Sequence, residues 1–330
     1  MRALRNLMVL AFLACALAAG WMYWFSTRPL DLPQSPFEFT VRSGASVRGL
    51  ARQLADQRLL AEPHSFWILA RALGKAGAIQ AGTYRLDRAL TPVELLDKLA
   101  RGDVVFAEIL FVEGTTFRQW LGLLAKQPRV RSTLVGKDEA GVRALLGLGD
   151  QSPEGWFFPD TYRFAPGTSD VEILKRAHAA MQRRLTESWT ARAPGSPLKS
   201  PYEALILASI VEKETGAAAE RPEIAAVFVN RLRRGMRLQT DPTVIYGIGE
   251  KYDGNIRKRD LVTDTPWNTY TRDGLPPTPI AMPGAGSLAA VAKPAQSEYL
   301  YFVGKGDGTH QFSRTLEEHN RAVATYQLKR

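Results

Sequence analysis

The sequence predicts an α+β protein made of an N-terminal transmembrane helix, a small α+β module and a larger mixed α/β domain with a loop-rich cleft. An uncharged apolar run covers residues 7–25, and a strand, helix, helix, strand pattern follows it. A long segment rich in Pro, Gly, Asn and Thr follows the most apolar helix of the body. The predicted boundaries are an anchor at 1–27, a linker at 28–36, the module at 37–103 and the larger domain at 104–330.

The N-terminal segment has the features of an uncleaved membrane anchor. Arg2 and Arg5 precede an apolar run that is just long enough to span a bilayer, and three aromatic residues lie at its far end. The basic residues predict a single pass through the cytoplasmic (inner) membrane, with the N-terminus in the cytoplasm and the body in the periplasm. Two alternatives stay open: a cleaved signal peptide, and a lipoprotein processing box ending at Cys15.

Composition limits the chemistry of the exported body. Apolar residues make up 45% of the 330, which is enough for packed cores. Cys15 is the only cysteine, so the body has no disulfide and no thiolate nucleophile. The net charge of +10, in an exported chain, favours anionic lipid or an acidic wall polymer over nucleic acid. The four histidines lack the spacing of a metal site, so we predict no metal and no cofactor and interpret them as polar or capping residues.

The module has clear local signals. A strand begins near residue 37, a turn falls at Gly44, and an amphipathic helix and a second helix after Pro63 lead to a strand at 81–86. A further helix opens with a capping box, Thr91 to Glu94, and closes at Gly102. This order resembles the LysM-type sugar-binding fold. Beyond it we predict strands within 104–112, helices near 116–126, 170–190 and 221–235, and a hairpin turn at 304–308.

The stretch SPYEALILASIVEKETG, residues 200–216, is the most informative in the chain. Ser200 and Glu203 form a predicted capping box and Gly216 a predicted stop, and the residues between leave almost no polar face. On a helical wheel Glu214 falls in line with the apolar stripe of Leu207, Ile210 and Val211, while Glu212 points to the far side. The pattern predicts a buried helix that ends in two carboxylates.

A carboxyl at the end of a buried helix is a candidate general acid. Desolvation and the negative end of the helix dipole both raise its pKa, which keeps the proton available near neutral pH. The alternative is a solvated last turn with no chemical role. Ser209 and Lys213 lie one turn apart and suggest a Ser–Lys hydrolase, but the SxxK spacing and its partner motifs are absent. Glycoside chemistry fits an acid beside an aromatic, amide-rich cleft, for which Tyr246, Trp267, Tyr270 and Phe312 are the aromatic candidates.

Six motifs occur in order over nearly the whole chain: EGWFFPDTYRF, LASIVEKET, VFVNRLRRGMRLQTDPTVIYGIG, NTYTRDGLPPTPI, PGAGSLAAVAKPA and YLYFVGKGDGTHQF. Together they closely resemble the endolytic murein transglycosylases of the MltG (YceG-like) family. By this resemblance the second Glu of the EKE motif, Glu214, is the catalytic acid. The groove residues it implies are Gln239, Thr240, Asp241, Asn268, Thr269 and Tyr270. Trp267 departs from the pattern, which has Tyr there, so an aromatic wall is kept and a hydroxyl is lost.

The activity implied is lytic cleavage of peptidoglycan between N-acetylmuramic acid and N-acetylglucosamine near the membrane. Glu214 gives its proton to the glycosidic oxygen and then takes the proton of the muramic C6 hydroxyl, leaving a 1,6-anhydro end. The resemblance also implies that cutting nascent strands terminates their elongation, and that peptidoglycan synthases are partners. Two alternatives stay open: a glycan-binding scaffold, and a muramidase-type hydrolase with Asp160, Asp241 or Glu113 as its second carboxylate.

Overall fold

The structure is a computed structural model that describes residues 2–328. It contains both helices and strands and divides into two compact units. The first reaches Ala107 and includes Arg163–Gly167; the second comprises Glu108–Tyr162 and the chain from Thr168 onward. The predicted segment boundaries, including the one after residue 103, stay predictions.

The chain begins with an apolar helix, α1 (Arg2–Thr27). Among residues 2–328 it is the one helix long and apolar enough to cross a membrane, over Leu4–Thr27. Its described side chains are mostly exposed, while Phe25 near its end is buried and Trp21 Nε1 donates to Ser65 Oγ at 3.2 Å. Exposed apolar side chains over this length are compatible with a single-pass membrane anchor.

The rest of the first unit has the predicted strand, helix, helix, strand order. Its elements are β1 (Phe37–Val41), α2 (Val47–Asp56), α3 (Pro63–Ala72), β2 (Gly82–Leu86) and α4 (Pro92–Arg101). The two strands pair antiparallel with Phe39 opposite Tyr84, and side chains of β1 alternate between buried and exposed. This alternation places one face of the two-stranded sheet on the apolar core formed with the helices.

The predicted caps of α4 are confirmed. Thr91 Oγ1 accepts from the Glu94 backbone N at 3.2 Å, and the Glu94 carboxylate accepts from the Thr91 backbone N at 2.7 Å. Gly102 ends the helix at a φ of 66°, a left-handed conformation that glycine adopts without a Cβ clash. Local sequence signals therefore fix both ends of this helix.

The second unit is mainly helical. Two strands, β3 (Ala107–Leu110) and β4 (Thr161–Phe164), run across the unit boundary, and β5 (Tyr301–Gly304) and β6 (His310–Ser313) form the predicted hairpin. The helices are α5 (Phe117–Lys126), α6 (Glu139–Leu146), α7 (Asp170–Thr190), α8 (Pro201–Glu214), α9 (Arg221–Arg233), α10 (Asp241–Ile248), α11 (Lys258–Val262), α12 (Ala285–Ala292) and α13 (Leu316–Tyr326).

Helix α8 is the centre of this unit, as its missing polar face predicts. Residues 204–211 are all buried, and the helix packs against α7, α9, α10 and α12. It ends two residues before the predicted stop, because Thr215 is extended and its hydroxyl accepts from the Ala217 backbone N at 2.9 Å. Only half of the predicted capping box forms: Ser200 accepts from the Glu203 N, while the Glu203 carboxylate accepts from Lys199 N at 2.6 Å.

Replacing Gly155 by Ala is expected to destabilise this unit. Gly155 has a φ of 82°, and a Cβ there would lie 2.5 Å from side-chain atoms of Pro279. Strain and overpacking together should lower the free energy of unfolding by about 2–4 kcal/mol, measured by chemical denaturation. Gly274→Ala is the matched control, since Gly274 has a φ of 78° and nothing lies within 4 Å of the position that a Cβ would take there. If both variants lost the same unfolding free energy, overpacking against Pro279 would be excluded as a cause.

Candidate active site

The end of α8 places Glu214 on the wall of a cavity of about 450 Å³. The walls come from residues far apart in the sequence. The lining includes Leu238–Asp241 and Tyr270, residues of the β5–β6 hairpin, and residues of α13. The lining is mainly polar, so the cavity suits a hydroxyl-rich ligand better than an apolar one.

The Glu214 side chain is partly buried, and its Oε1 accepts a hydrogen bond from the Thr240 hydroxyl. Burial raises its pKa to about 7. The Thr240 hydrogen bond opposes this rise, the negative charge of Asp241 adds to it, and the nearby His310 and Arg231 side chains lower the pKa again. The net result is a carboxyl that is substantially protonated near neutral pH, as a general acid must be.

Four of the six predicted groove residues line this cavity with Glu214. They are Gln239, Thr240, Asp241 and Tyr270. Gln239 has a left-handed φ of 48°, and Asp241 is the first residue of α10. The Tyr270 hydroxyl donates to Asp241 Oδ1 at 2.6 Å, which links Tyr270 to the start of α10.

The other two predicted groove residues, Asn268 and Thr269, lie behind the wall. They are 0% and 2% exposed and are absent from the lining of the Glu214 cavity. The Asn268 amide donates to three backbone carbonyls of residues 260–263 and accepts from the Tyr270 backbone N at 2.9 Å. Thr269 Oγ1 accepts from the Thr240 backbone N at 3.1 Å. In this structure both residues fix the loops that carry Thr240 and Tyr270, and direct binding by their side chains stays a prediction.

Of the aromatic candidates, only Tyr270 lines the cavity. Tyr246 and Trp267 pack edge to face, with ring centroids 5.5 Å apart, against the core of the unit. Trp267 Nε1 donates to Thr278 Oγ1 at 2.9 Å, and Phe312 also packs on the core. The aromatic wall expected at Trp267 is therefore not part of this cavity.

Sequence reasoning missed Arg231 and two histidines. Arg231, from α9, is 8% exposed and donates to the Leu300 and Leu238 carbonyls at 2.7 and 2.8 Å. His310 opens β6, and His319 on α13 stacks on Tyr301 with centroids 5.2 Å apart. All three residues line the cavity. Their spacing along the chain gives no motif, because tertiary packing alone brings them to Glu214.

Glu212, the other carboxylate of the EKE motif, has a different environment. Its side chain is 5% exposed and accepts hydrogen bonds from Arg221 at 3.1 Å, Gly284 N at 2.9 Å and Ser287 Oγ at 2.7 Å. These contacts join the end of α8 to the starts of α9 and α12. The wheel prediction that the two carboxylates point to different sides agrees with this division: Glu212 is bound within the fold and Glu214 faces the cavity.

The structure tests the alternative catalytic residues that the sequence suggested. Ser209 is fully buried, and its hydroxyl donates to Ile206 O and accepts from Ile280 N, while Lys213 is exposed and bonds to Gly114 O. A Ser–Lys nucleophile is therefore excluded. Of the three candidate second carboxylates, Asp241 shares the Glu214 cavity.

The remaining candidates, Glu113 and Asp160, are not in the cavity lining. Glu113 lies 3.7 Å from Arg221, and the exposed Asp160 accepts from the Thr161 backbone N. Within residues 2–328 no group of three or more His, Cys, Asp or Glu side chains could hold a metal ion.

A second carboxyl with a raised pKa lies elsewhere in this unit. Glu154 is 5% exposed, and burial raises its pKa to about 7 despite hydrogen bonds from Phe117 N at 3.0 Å and Tyr246 OH at 3.1 Å. It does not line the Glu214 cavity. Its contacts tie the start of α5 to α10, the helix that begins with Asp241.

Comparison with known proteins places these residues in a family. The model of the YceG-like family matches residues 39–325. A protein of Bacillus subtilis named endolytic murein transglycosylase is 31% identical over 303 residues, which cover 87% of this chain and 83% of its own. A Streptococcus pneumoniae serotype 2 protein of the same name is 27% identical over 367 residues, covering 96% of this chain and 64% of its own.

A solved structure is also similar. The crystal structure of a YceG-like protein from Listeria monocytogenes superposes with a TM-score of 0.57 at 30% sequence identity. The match covers 87% of this chain and 100% of that chain. The family match and the structural similarity therefore each cover most of the chain.

Proposed function

Because this chain belongs to the YceG-like family, we propose that it is an endolytic lytic transglycosylase of peptidoglycan, with Glu214 as its general acid. One observation carries the assignment of the acid. Glu214 is a carboxyl with a pKa raised to about 7, and it faces a polar cavity large enough for sugar rings.

In the proposed chemistry the glycosidic bond at muramic C1 is replaced by a bond from C1 to the muramic C6 oxygen. The Glu214 proton goes to the oxygen that joins muramic C1 to N-acetylglucosamine, the C1–oxygen bond breaks, and an oxocarbenium-like centre develops at C1. The muramic C6 oxygen then bonds to C1 and loses its proton, which leaves a 1,6-anhydro end and consumes no water. Chemically, one carboxyl suffices for both transfers, because the second returns the proton lost in the first.

The residues around the acid support distinct roles. Gln239, Thr240, Asp241 and Tyr270 offer hydrogen bonds to the glycan from the cavity wall. The Thr240 hydroxyl donates to Glu214 and so orients the carboxyl. We propose that Asn268 and Thr269 support binding by fixing these wall residues from behind.

The two remaining proposals concern the first unit. Its strand, helix, helix, strand order supports a LysM-like module that holds glycan. The apolar helix α1, with Arg2 and Arg5 at its start, supports an anchor whose N-terminus lies in the cytoplasm and a body in the periplasm. Such an anchor would confine cleavage to nascent strands near the membrane and their synthases, and so terminate elongation.

The products of peptidoglycan digestion test the function. The full chain in detergent is incubated with purified glycan strands, and the new ends are identified by mass spectrometry. Anhydro ends are expected. Reducing ends would instead assign a muramidase, for which Asp241 is the second carboxylate in the cavity. Binding without new ends, from a folded preparation, would assign a glycan-binding scaffold.

Cleavage is expected to decline above neutral pH. The acid must be protonated, and the pKa of Glu214 is raised to about 7. As the pH rises past this value the protonated fraction of Glu214 declines, and well above it kcat/KM should fall about tenfold per pH unit. A rate measured from pH 5 to 9 that stays flat or rises above 7 would contradict this role.

Glu154→Gln is the control for that profile. Glu154 also has a pKa raised to about 7, yet it lies outside the cavity lining. The alkaline decline should therefore persist in this variant. If it disappears there, Glu154 controls the profile and Glu214 does not.

A further inference from the structure

Glu220 and His310 form a carboxylate–imidazole pair beside the Glu214 cavity. Glu220 Oε1 accepts from the His310 backbone N at 3.0 Å, and Oε2 lies 2.7 Å from Nδ1. The His310 and Glu220 side chains are only 14% and 18% exposed. Burial acts to raise the pKa of Glu220, but the hydrogen bonds and charge of His310 outweigh it and the pKa is lowered, so the carboxylate is charged at neutral pH.

This pairing fixes which ring nitrogen of His310 can react. A charged carboxylate only accepts hydrogen bonds, so Nδ1 carries the proton between them. In the neutral imidazole Nε2 is then an acceptor, on the opposite side of the ring. Nε2 has no hydrogen-bond partner within the part of the chain that the structure describes, and His310 lines the cavity.

The ring is also held from its sides. Phe302 meets it edge to face, with centroids 5.4 Å apart at 89°, and Phe312 lies 6.4 Å away. His310 and Glu214 line the same cavity. The cavity therefore contains an acid and, near it, an oriented imidazole with a free acceptor. A base oriented by a carboxylate is a recurring arrangement in active sites.

We propose that His310 is the base of the reaction: its Nε2 takes the proton of the muramic C6 hydroxyl while the C6 oxygen bonds to C1, and Glu220 positions the ring. The inference rests on the function proposed above and reassigns its second proton transfer. Glu214 gives one proton to the leaving oxygen and His310 receives one from the C6 oxygen, so protons balance. Exchange with solvent in the cavity then restores both groups.

His310→Ala in the full chain tests the assignment, with initial rates measured on purified glycan strands. Loss of a general base predicts a fall in kcat of about 10²–10⁴-fold, with KM changed little. Added imidazole should restore part of that rate, because the truncated side chain leaves room in the cavity. Cleavage that remains should give a larger share of reducing ends, since water then competes with an unassisted C6 hydroxyl.

Three further variants separate this role from a structural one. His310→Gln keeps a donor for Glu220 without a base and should be as slow as His310→Ala. Glu220→Gln keeps an acceptor for Nδ1 without the charge and should cost about tenfold. His319→Ala is the matched control, because His319 lines the same cavity and stacks on Tyr301, and no carboxylate bonds to it within residues 2–328. It should show no rescue by imidazole and no shift in the kind of ends.

The outcomes are distinct. A folded His310→Ala protein with wild-type kcat, or a slow one that imidazole does not rescue and whose ends stay fully anhydro, overturns the base assignment. In either case anhydro ends from the wild-type protein would leave the proposed function intact. Wild-type protein that forms no anhydro ends would instead remove the proposed function itself.

Discussion

Glu214→Gln is expected to reduce cleavage of glycan strands by about 10²–10⁴-fold while glycan binding persists. The amide keeps the shape of the carboxyl and can still accept from the Thr240 hydroxyl, but it has no proton to give. The measurement is the rate at which anhydro ends appear, with binding followed by co-sedimentation with insoluble peptidoglycan.

Stability should change little in this variant. The Glu214 carboxyl has a raised pKa because burial disfavours its charge, so replacing it with a neutral amide removes no strong ion pair. A thermal unfolding midpoint close to that of the wild type would show that the loss is chemical. Full cleavage by a folded Glu214→Gln protein would refute the assignment of the acid.

Glu212→Ala, two residues earlier, is expected to lower stability more than it lowers the activity of each folded molecule. Its carboxylate holds Arg221, Gly284 N and Ser287 at the meeting point of three helix ends. Removing it leaves the Arg221 guanidinium, 15% exposed, without its closest partner. Breaking a buried ion pair in this way should lower the free energy of unfolding by about 3–5 kcal/mol.

Urea denaturation of Glu212→Ala and Glu214→Gln compares the free energies of unfolding of the two variants. Glu113, 3.7 Å from Arg221, offers partial compensation, so Glu212→Ala combined with Glu113→Gln should be less stable than either alone. The activity of Glu212→Ala per folded molecule should exceed that of Glu214→Gln. Equal stability of Glu212→Ala and the wild type would exclude the structural role.

Local signals explain which parts of the fold were predictable. The capping box at Thr91, the hairpin at 304–308 and the buried α8 each depend on residues close together in the sequence. Helices α6, α10, α11, α12 and α13 were not predicted. They have five to eleven residues each, and three of them lie in the Pro- and Gly-rich segment where turn formers mask the helical pattern.

The site was predictable only in part, for a similar reason. Helical periodicity predicted only that Glu212 and Glu214 face different sides, and the resemblance to the MltG family selected Glu214 as the acid. Burial of Asn268 and Thr269 could not be foreseen, since polar residues in a loop look the same whether they face ligand or backbone carbonyls. Arg231 and His310 reach the cavity through tertiary packing that no local pattern encodes.

The origin of the cavity walls has a consequence for biosynthesis. Glu214 lies at the end of α8, but several residues that line its cavity belong to the hairpin and α13, within residues 301–326. A nascent chain emerging from the ribosome therefore carries the acid well before it carries a pocket around it. A chain cut short before residue 301 would therefore carry Glu214 without the hairpin and α13 residues that line its cavity.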